Sequence, residues 1–405
     1  MPKKFSKKIC VLLESYYPVI GGMESEALLI NKGLVDRGFQ VLVITRRNVS
    51  DSPKSEVIDG THIERIAPKG PGSLKKWLMV IPSFYYLLKN VRKYNLIFVP
   101  GFRTLGISSV LISRIFRKYC ILKAENIGEM SGEFFYRGLE QIGISKNFFL
   151  FKIFLRFRNK LIKKANAFIS LSSEITSEFK KYGIGVEKIY EIPNPVDQDI
   201  FCKVHDEEKK KIKAKLNFPI NKKILIYTGR LVYEKGLPFL LKVWNEIQKN
   251  NDDLFLVLVG SGGDFAYSCE KEIKEYVKEN QLENGVIFTG KVDVKRIHEY
   301  LKSADIFIFP TERGEGLPNS VLEAMACGLV IVTNPVSGIS DVVKDKVNGF
   351  LMEKGNVEQY CNYINMLNKD EHLLNEISRN AVLTISEKYS KAIVVQSYID
   401  LFNKF

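Results

Sequence analysis

Short apolar runs separated by helical patterns recur along this 405-residue chain and restrict it to a wound, largely parallel α/β architecture. Residues 9–14 (ICVLLE) are the first such run. A loop over 15–22 follows, apolar positions 27, 28, 30, 34 and 35 mark a helix over 23–37 that Gly38 stops, and residues 39–45 make a second run. Strand, loop, helix and strand is the unit from which parallel sheets are built. Further strands are expected at 96–100, 120–124, 167–171 and 189–192.

The pattern restarts after a lysine-rich helix over 206–216. Strands are expected at 223–229 (KILIYTG), 254–259 (LFLVLV), 286–289, 305–310 and 329–333. Helices are expected over 237–249, 270–280, 294–303 and 319–327. The seam carries Pro193 and Pro195. The chain thus reads as two doubly wound domains, 1–195 and 196–387. A last helix over about 388–405 has no strand after it and is expected to pack back on the first domain. Ligands of such sheets sit at the carboxyl ends of the strands, and two facing domains would enclose a central cleft.

Composition excludes several classes. A hydrophobic fraction of 45% with 26% charged residues is not that of a disordered chain. The six cysteines are scattered without a CxxC pair, which argues against structural zinc and a disulfide framework. The apolar run after the first lysines is too short for a signal peptide. The longest charge-free span, 324–340, contains Asn334, Pro335 and two glycines and falls short of the ~20 apolar residues a membrane helix needs. A cytoplasmic, water-soluble protein is expected.

The net charge of +14 lies entirely in the first half: residues 1–200 hold 32 Lys and Arg against 18 Asp and Glu, and residues 201–405 hold 28 of each. Residues 65–123 contain 12 basic and no acidic residues. Aromatic and apolar residues interleave with the bases in KKWLMVIPSFYYLLK (75–89) and KNFFLFKIFLRFRNKLIKK (146–164). This is either a surface for an anionic membrane or a solvated lysine coat over an aromatic core. Nucleic acid ranks last as a partner, because no helix-turn-helix, RNP, KH or finger signature accompanies the bases.

Three loops follow strands of the second half. GRLVYEKG (229–236) places Arg230 and Lys235 beside a strand end, a pair suited to holding a departing diphosphate. GSGGD (260–264) lets backbone approach a nucleotide at Gly262, although such turns also simply end strands. PTERGEGLPNSVLEAMACG (310–328) presents Glu315 in a polar loop and opens a helix near Asn319, whose free N–H groups suit a phosphate. Glu315 and Glu323 are acceptors for vicinal hydroxyls of a sugar or ribose. Neither a full GxGxxG nor a GxxxxGK[ST] is present, so dinucleotide and P-loop readings lose support.

Over nearly its whole length the chain resembles the family 4 glycosyltransferases, retaining sugar-nucleotide enzymes of the GT-B fold. GGME (21–24), IPNPVD (192–197), GRLVYEKG, GSGG, FTG (288–290), the 305–328 segment and SGISDVV…NGFL (337–351) carry the resemblance. It implies that Arg230 and Lys235 neutralise the donor diphosphate with Gly229 at the turn, and that Gly22 approaches a donor phosphate. Glu315, Gly316 and Leu317 would hold the donor sugar, Asn319 and Ser320 would lie near phosphate, and Glu323 would bond the ribose. Phe288, Thr289, Gly290 and Lys291 would line the base pocket, with no metal or other cofactor required.

Many relatives carry a histidine in the first domain that contacts the sugar. His62, His205, His298 and His372 do not occupy such a place. Glu125, Asn126 or Glu129 would face the sugar instead.

The expected reaction moves a sugar from a nucleotide diphosphate, UDP by family frequency, to a hydroxyl of a lipid-linked glycan. It would serve bacterial lipopolysaccharide, capsule or O-antigen assembly at the inner face of the cytoplasmic membrane. A non-catalytic sugar-nucleotide-binding scaffold and a sugar-nucleotide epimerase of the same architecture are the alternatives.

Overall fold

The computed structural model describes residues 7–19, 21–70, 72–133, 149–263, 267–314 and 316–405. Residues 1–195 with 391–405 form one compact unit and residues 196–390 a second.

The first unit is built on an eight-stranded sheet. Its strands are β1 (Lys8–Leu13), β2 (Gln40–Arg46), β3 (Ser55–Ile58), β4 (Thr61–Ile66), β5 (Leu96–Pro100), β6 (Tyr119–Lys123), β7 (Ala167–Ser170) and β8 (Ile189–Glu191), in the order β3-β4-β2-β1-β5-β6-β7-β8. Every pairing is parallel except β3 with β4. The central strands are apolar on both faces because helices cover both, as a parallel sheet requires.

The β3–β4 hairpin, absent from the sequence expectation, is an edge addition in which Val57 and His62 are exposed and Glu56 pairs with the buried Arg65. Its turn is Asp59-Gly60, both at positive φ, the backbone that a two-residue hairpin demands.

The helix Lys391–Asn403 belongs to the first unit. Val394, Val395, Tyr398, Ile399 and Phe402 enter the core of the eight-stranded sheet, and the Tyr398 and Phe402 rings each lie 5.6 Å from Phe98. It packs on the helix Gly22–Val35, where Val395 Cγ2 stands 2.7 Å from the position a Cβ on Gly33 would take.

The second unit has a six-stranded, wholly parallel sheet: β9 (Lys223–Thr228), β10 (Leu254–Val259), β11 (Val286–Gly290), β12 (Ile306–Phe309), β13 (Val330–Thr333) and β14 (Gly349–Leu351), in the order β11-β10-β9-β12-β13-β14. The sequence expectation lacked β14, which is only three residues long. The helix expected over 294–303 is a 3-10 turn, Val294–Arg296, running into the helix Ile297–Lys302. No helix among the described residues is long and apolar enough to cross a membrane.

Candidate active site

In the second sheet the strand order steps outward from β9 to β10 on one side and β12 on the other, so the loops after these strands border the switch point where ligands of wound sheets bind. The loop after β9 carries Arg230, which is exposed, and Lys235, which is half-buried in the 3-10 turn Tyr233–Lys235. Lys235 Nζ stands 5.1 Å from the centroid of the buried Phe309 ring at the end of β12, and Phe309 stacks on Tyr227 at 5.9 Å. The ammonium is thereby held over the sheet end by its stem and an aromatic face.

Two residues, Gly236 and Glu234, lock this loop to the one after β12. Gly236, at φ +70°, lies against the Pro310 carbonyl so closely that a Cβ there would overlap the oxygen. The Glu234 carbonyl accepts from Glu312 N at 3.0 Å and from Thr311 Oγ1 at 3.1 Å, while its carboxylate pairs with Arg313 Nη1 at 3.2 Å. Glu234 was not among the expected site residues. Its place between Arg230 and Lys235 on a strand-end turn was the available signal.

The turn after β10 is as tight. Gly260, at φ +139°, approaches the Gly229 carbonyl and donates its N–H to Gly290 O at 3.1 Å, joining the ends of β9, β10 and β11. The Gly262 N–H is taken by Glu270 Oε2 at 2.6 Å, so this amide is satisfied internally. Asp264 lies outside the described residues. Of the expected base-pocket residues, Thr289, Gly290 and Lys291 stand at the strand end, whereas the Phe288 ring turns toward Lys274 of the helix Glu270–Glu279, 5.7 Å from its Nζ.

After β12, Gly316 and Leu317 are buried, and the helix Asn319–Ala326 starts behind Pro318, which offers no side-chain cap. Asn319 and Ser320 are half-buried at its first turn. Glu315 lies outside the described residues. Glu323 is half-buried one turn on, and its carboxylate has no hydrogen-bond or ion-pair partner among the described residues. Burial raises it to about 8. An acceptor kept without a protein donor is placed to receive hydroxyl hydrogens from a ligand.

In the first unit, Gly22 opens the helix Gly22–Val35 behind Gly21, and Ser15 donates to the Glu24 carboxylate beside it. At the end of β6 the buried Lys123 ammonium reaches the two Glu26 oxygens at 2.5 and 2.6 Å, Glu125 Oε1 at 2.9 Å and Asn194 Oδ1 at 3.3 Å. Burial is the largest influence on Glu26 and raises it to about 7 against the attraction of Lys123.

Glu125 and Asn126 follow on the same loop, half-buried. The loop is gripped from below: Glu178 accepts the N–H groups of Gly128, Met130 and Ser131 at 2.8 to 3.0 Å, and Glu129 Oε1 accepts that of Glu125 at 3.0 Å. No group of three or more His, Cys, Asp or Glu that could hold a metal occurs among the described residues.

Residues 20–200 match the profile of glycosyltransferase family 4, and residues 208–383 match that of the glycosyl transferases group 1. An uncharacterised glycosyltransferase of Methanocaldococcus jannaschii is 26% identical over 98% of either chain. The Campylobacter jejuni N,N'-diacetylbacillosaminyl-diphospho-undecaprenol alpha-1,3-N-acetylgalactosaminyltransferase is 26% identical over 80% of this chain and 82% of its own. The crystal structure of Anabaena HepE with UDP and glucose, 21% identical, shares the fold at a TM-score of 0.77 over 98% of this chain and all of that one. The two wound units are thus the Rossmann-like domains of a GT-B protein, and the chain belongs to the family 4 glycosyltransferases.

Proposed function

We propose that the protein transfers a sugar from a nucleoside diphosphate, UDP in the first instance, to a hydroxyl of a lipid-linked glycan, with retention at the anomeric carbon. The observation that carries this reading is the locking of the Arg230–Lys235 loop onto the loop after β12, which leads into the helix whose Glu323 carboxylate has no partner among the described residues. Arg230 and Lys235 would stabilise the diphosphate as the bond from the anomeric carbon to its oxygen breaks and the electron pair leaves with it. The acceptor oxygen would bond to the same face of that carbon, and its proton would pass to an oxygen of the departing diphosphate. The two cations would supply the charge neutralisation that a divalent metal would otherwise give, so the reaction is proposed to run without one.

Support for UDP is the nucleotide bound by HepE. Support for a lipid-diphosphate acceptor is the diphospho-undecaprenol in the name of the Campylobacter relative, together with the basic first half of this chain. A place on the inner face of the cytoplasmic membrane, in assembly of a surface polysaccharide, follows from that acceptor.

The test is thermal stability against UDP, GDP, ADP, CMP and their common sugar conjugates without added metal. A ligand bound only by the native state raises the melting temperature by mass action. A shift with UDP and its conjugates is expected. No shift with any nucleotide would overturn the reading and bring the non-catalytic scaffold forward.

A further inference from the structure

The helix Phe149–Ile162 has two working faces. Phe151, Leu155, Arg158, Asn159 and Ile162 are buried on the inner one. On the outer one Phe149, Ile153 and Phe157 repeat every fourth residue, with Phe149 65% and Phe157 70% exposed. Lys152, Arg156 and Lys160 run beside them at the same spacing, all exposed. At 3.6 residues per turn, stripes offset by three positions lie about 60° apart, so the apolar and basic rows are neighbours.

The helices Ser73–Leu78 and Val80–Lys89 extend this surface with Leu78, Tyr85 and Ile81, the last 77% exposed. The Trp77 and Phe154 rings, 6.2 Å apart, connect the two segments. No acidic residue occurs in any of these three helices. Lys76 pairs with Glu14 Oε2 at 3.2 Å. Outward phenylalanines bordered by cations, on helices that carry no acidic residue of their own, have the pattern of a helix lying in a bilayer interface, and the bases select anionic lipid. A solvated lysine coat would keep the aromatic rings inside.

The inner face holds the substrate-side loops of the same unit. Arg158 Nε donates to Arg103 O at 2.8 Å in the loop after β5, and its Nη1 donates to Glu129 O at 2.9 Å in the loop after β6. Asn159 Nδ2 donates to Met130 O at 2.8 Å. Leu155 fills the space that a side chain at Gly132 would need. These contacts reach the loop that carries Glu125, whose amide is held by Glu129.

We propose that this face docks on an anionic bilayer interface and that docking orders the loop after β6 through the positioning residues Arg158 and Asn159. The docked protein then presents Glu125 in a fixed setting beside the surface from which a lipid-linked acceptor arrives, a consequence that rests on the function proposed above. Undocked, the helix can shift and the loop with it.

The experiment uses the full chain with mixed phosphatidylcholine–phosphatidylglycerol vesicles, and with phosphatidylcholine alone as the control. At low salt the protein should sediment with the mixed vesicles and not with the control, and high salt should release it. The double substitution Phe149→Ser with Phe157→Ser should weaken retention at least about tenfold while leaving the UDP-induced melting shift intact. Hydrogen exchange at the Glu125, Gly128, Met130 and Ser131 amides should slow about tenfold on mixed vesicles. Arg158→Lys, or Asn159→Ala if the first variant does not fold, should bind vesicles as before and lose that slowing.

Failure to bind mixed vesicles at low salt would overturn the proposal. So would a concentration-dependent dimer that the double substitution dissolves, since a second copy would then be the occupant. Retention without any change at the four amides would overturn the coupling. A chain that docks but shows no UDP shift would instead sink the proposed function and leave the docking standing.

Discussion

Gly236 faces the carbonyl oxygen of Pro310 with no room for a side chain between them, and its φ of +70° is one that L residues rarely adopt. The contact ties the turn that ends in Lys235 to the loop leading into the helix Asn319–Ala326. Gly236→Ala should therefore act on both at once. Left-handed strain costs about 1–3 kcal/mol, and relieving the overlap must push the loops apart. The expected outcome is a melting temperature several degrees lower, with UDP affinity reduced well beyond what the lost stability explains. Gly355→Ala is the control, because Gly355 has a similar φ of +79°, open space around its Cβ position and no place among the site loops. Equal effects of the two substitutions on UDP affinity would refute the role given to the Gly236–Pro310 contact.

Arg230 and Lys235 differ in how they are held. Arg230 is exposed at the loop start, while Lys235 is half-buried with its ammonium over Phe309. Charge placed where it develops in the transition state is worth about 2.7–4 kcal/mol per donor, or roughly a hundred- to a thousand-fold in turnover. Lys235→Ala should show that loss with the UDP-sugar that shifts the melting temperature. Lys235→Arg should recover little of it, because a planar guanidinium does not fit the site of a compact ammonium. Full turnover in Lys235→Ala would remove it from the reaction.

The strands β9, β10 and β12 could be read from the sequence because each is a short apolar run buried on both faces, and the loops after β9 and β12 because their charged residues interrupt such runs. The β3–β4 hairpin escaped because Ser55–Ile58 is only four residues long and Thr61–Ile66 breaks its isoleucines with polar and charged residues, although Asp59-Gly60 was a turn signal in plain view. The grip of Glu178 on the amides of Gly128, Met130 and Ser131 spans 47 to 50 residues, and nothing in the local pattern around either partner encodes it. The same holds for the Lys123–Glu26 pair, 97 residues apart: a lysine closing an apolar strand looks in sequence like an ordinary solvated strand end. Phe288 shows a different limit. FTG marks the strand end, but which way the ring turns is decided by Lys274 and the packed helix.

Lys123 and Glu26 share one buried site, with Glu125 and Asn194 completing it. Removing one partner leaves an uncompensated charge in the interior, which typically costs about 3–5 kcal/mol. Lys123→Met should lower the urea midpoint strongly and Glu26→Gln much less, since glutamine still offers Lys123 an acceptor. The double substitution should be more stable than Lys123→Met alone. A double substitution no better than the sum of the two singles would show that the pair is not coupled.

Glu323 gives the site a pH signature. Its carboxyl is raised to about 8 by burial, against an ordinary value of 4.5. The folded state therefore holds this proton more tightly than the unfolded state. The stabilisation is complete below pH 4.5 and is lost as pH rises through about 8. Glu26 and Glu129, both raised to about 7, act in the same direction, so the comparison must be made between variants. The fall in stability from pH 5 to pH 8 should be smaller in Glu323→Gln than in the parent chain. Ribose hydroxyls donating to this carboxylate would favour its charged form and pull its value below 8. UDP binding at pH 7 should then release a proton, seen as a binding enthalpy that changes with the ionisation enthalpy of the buffer. In Glu323→Gln that buffer dependence should vanish and UDP affinity should fall. Proton release that persists in Glu323→Gln would assign it to another group and take Glu323 out of the nucleotide site.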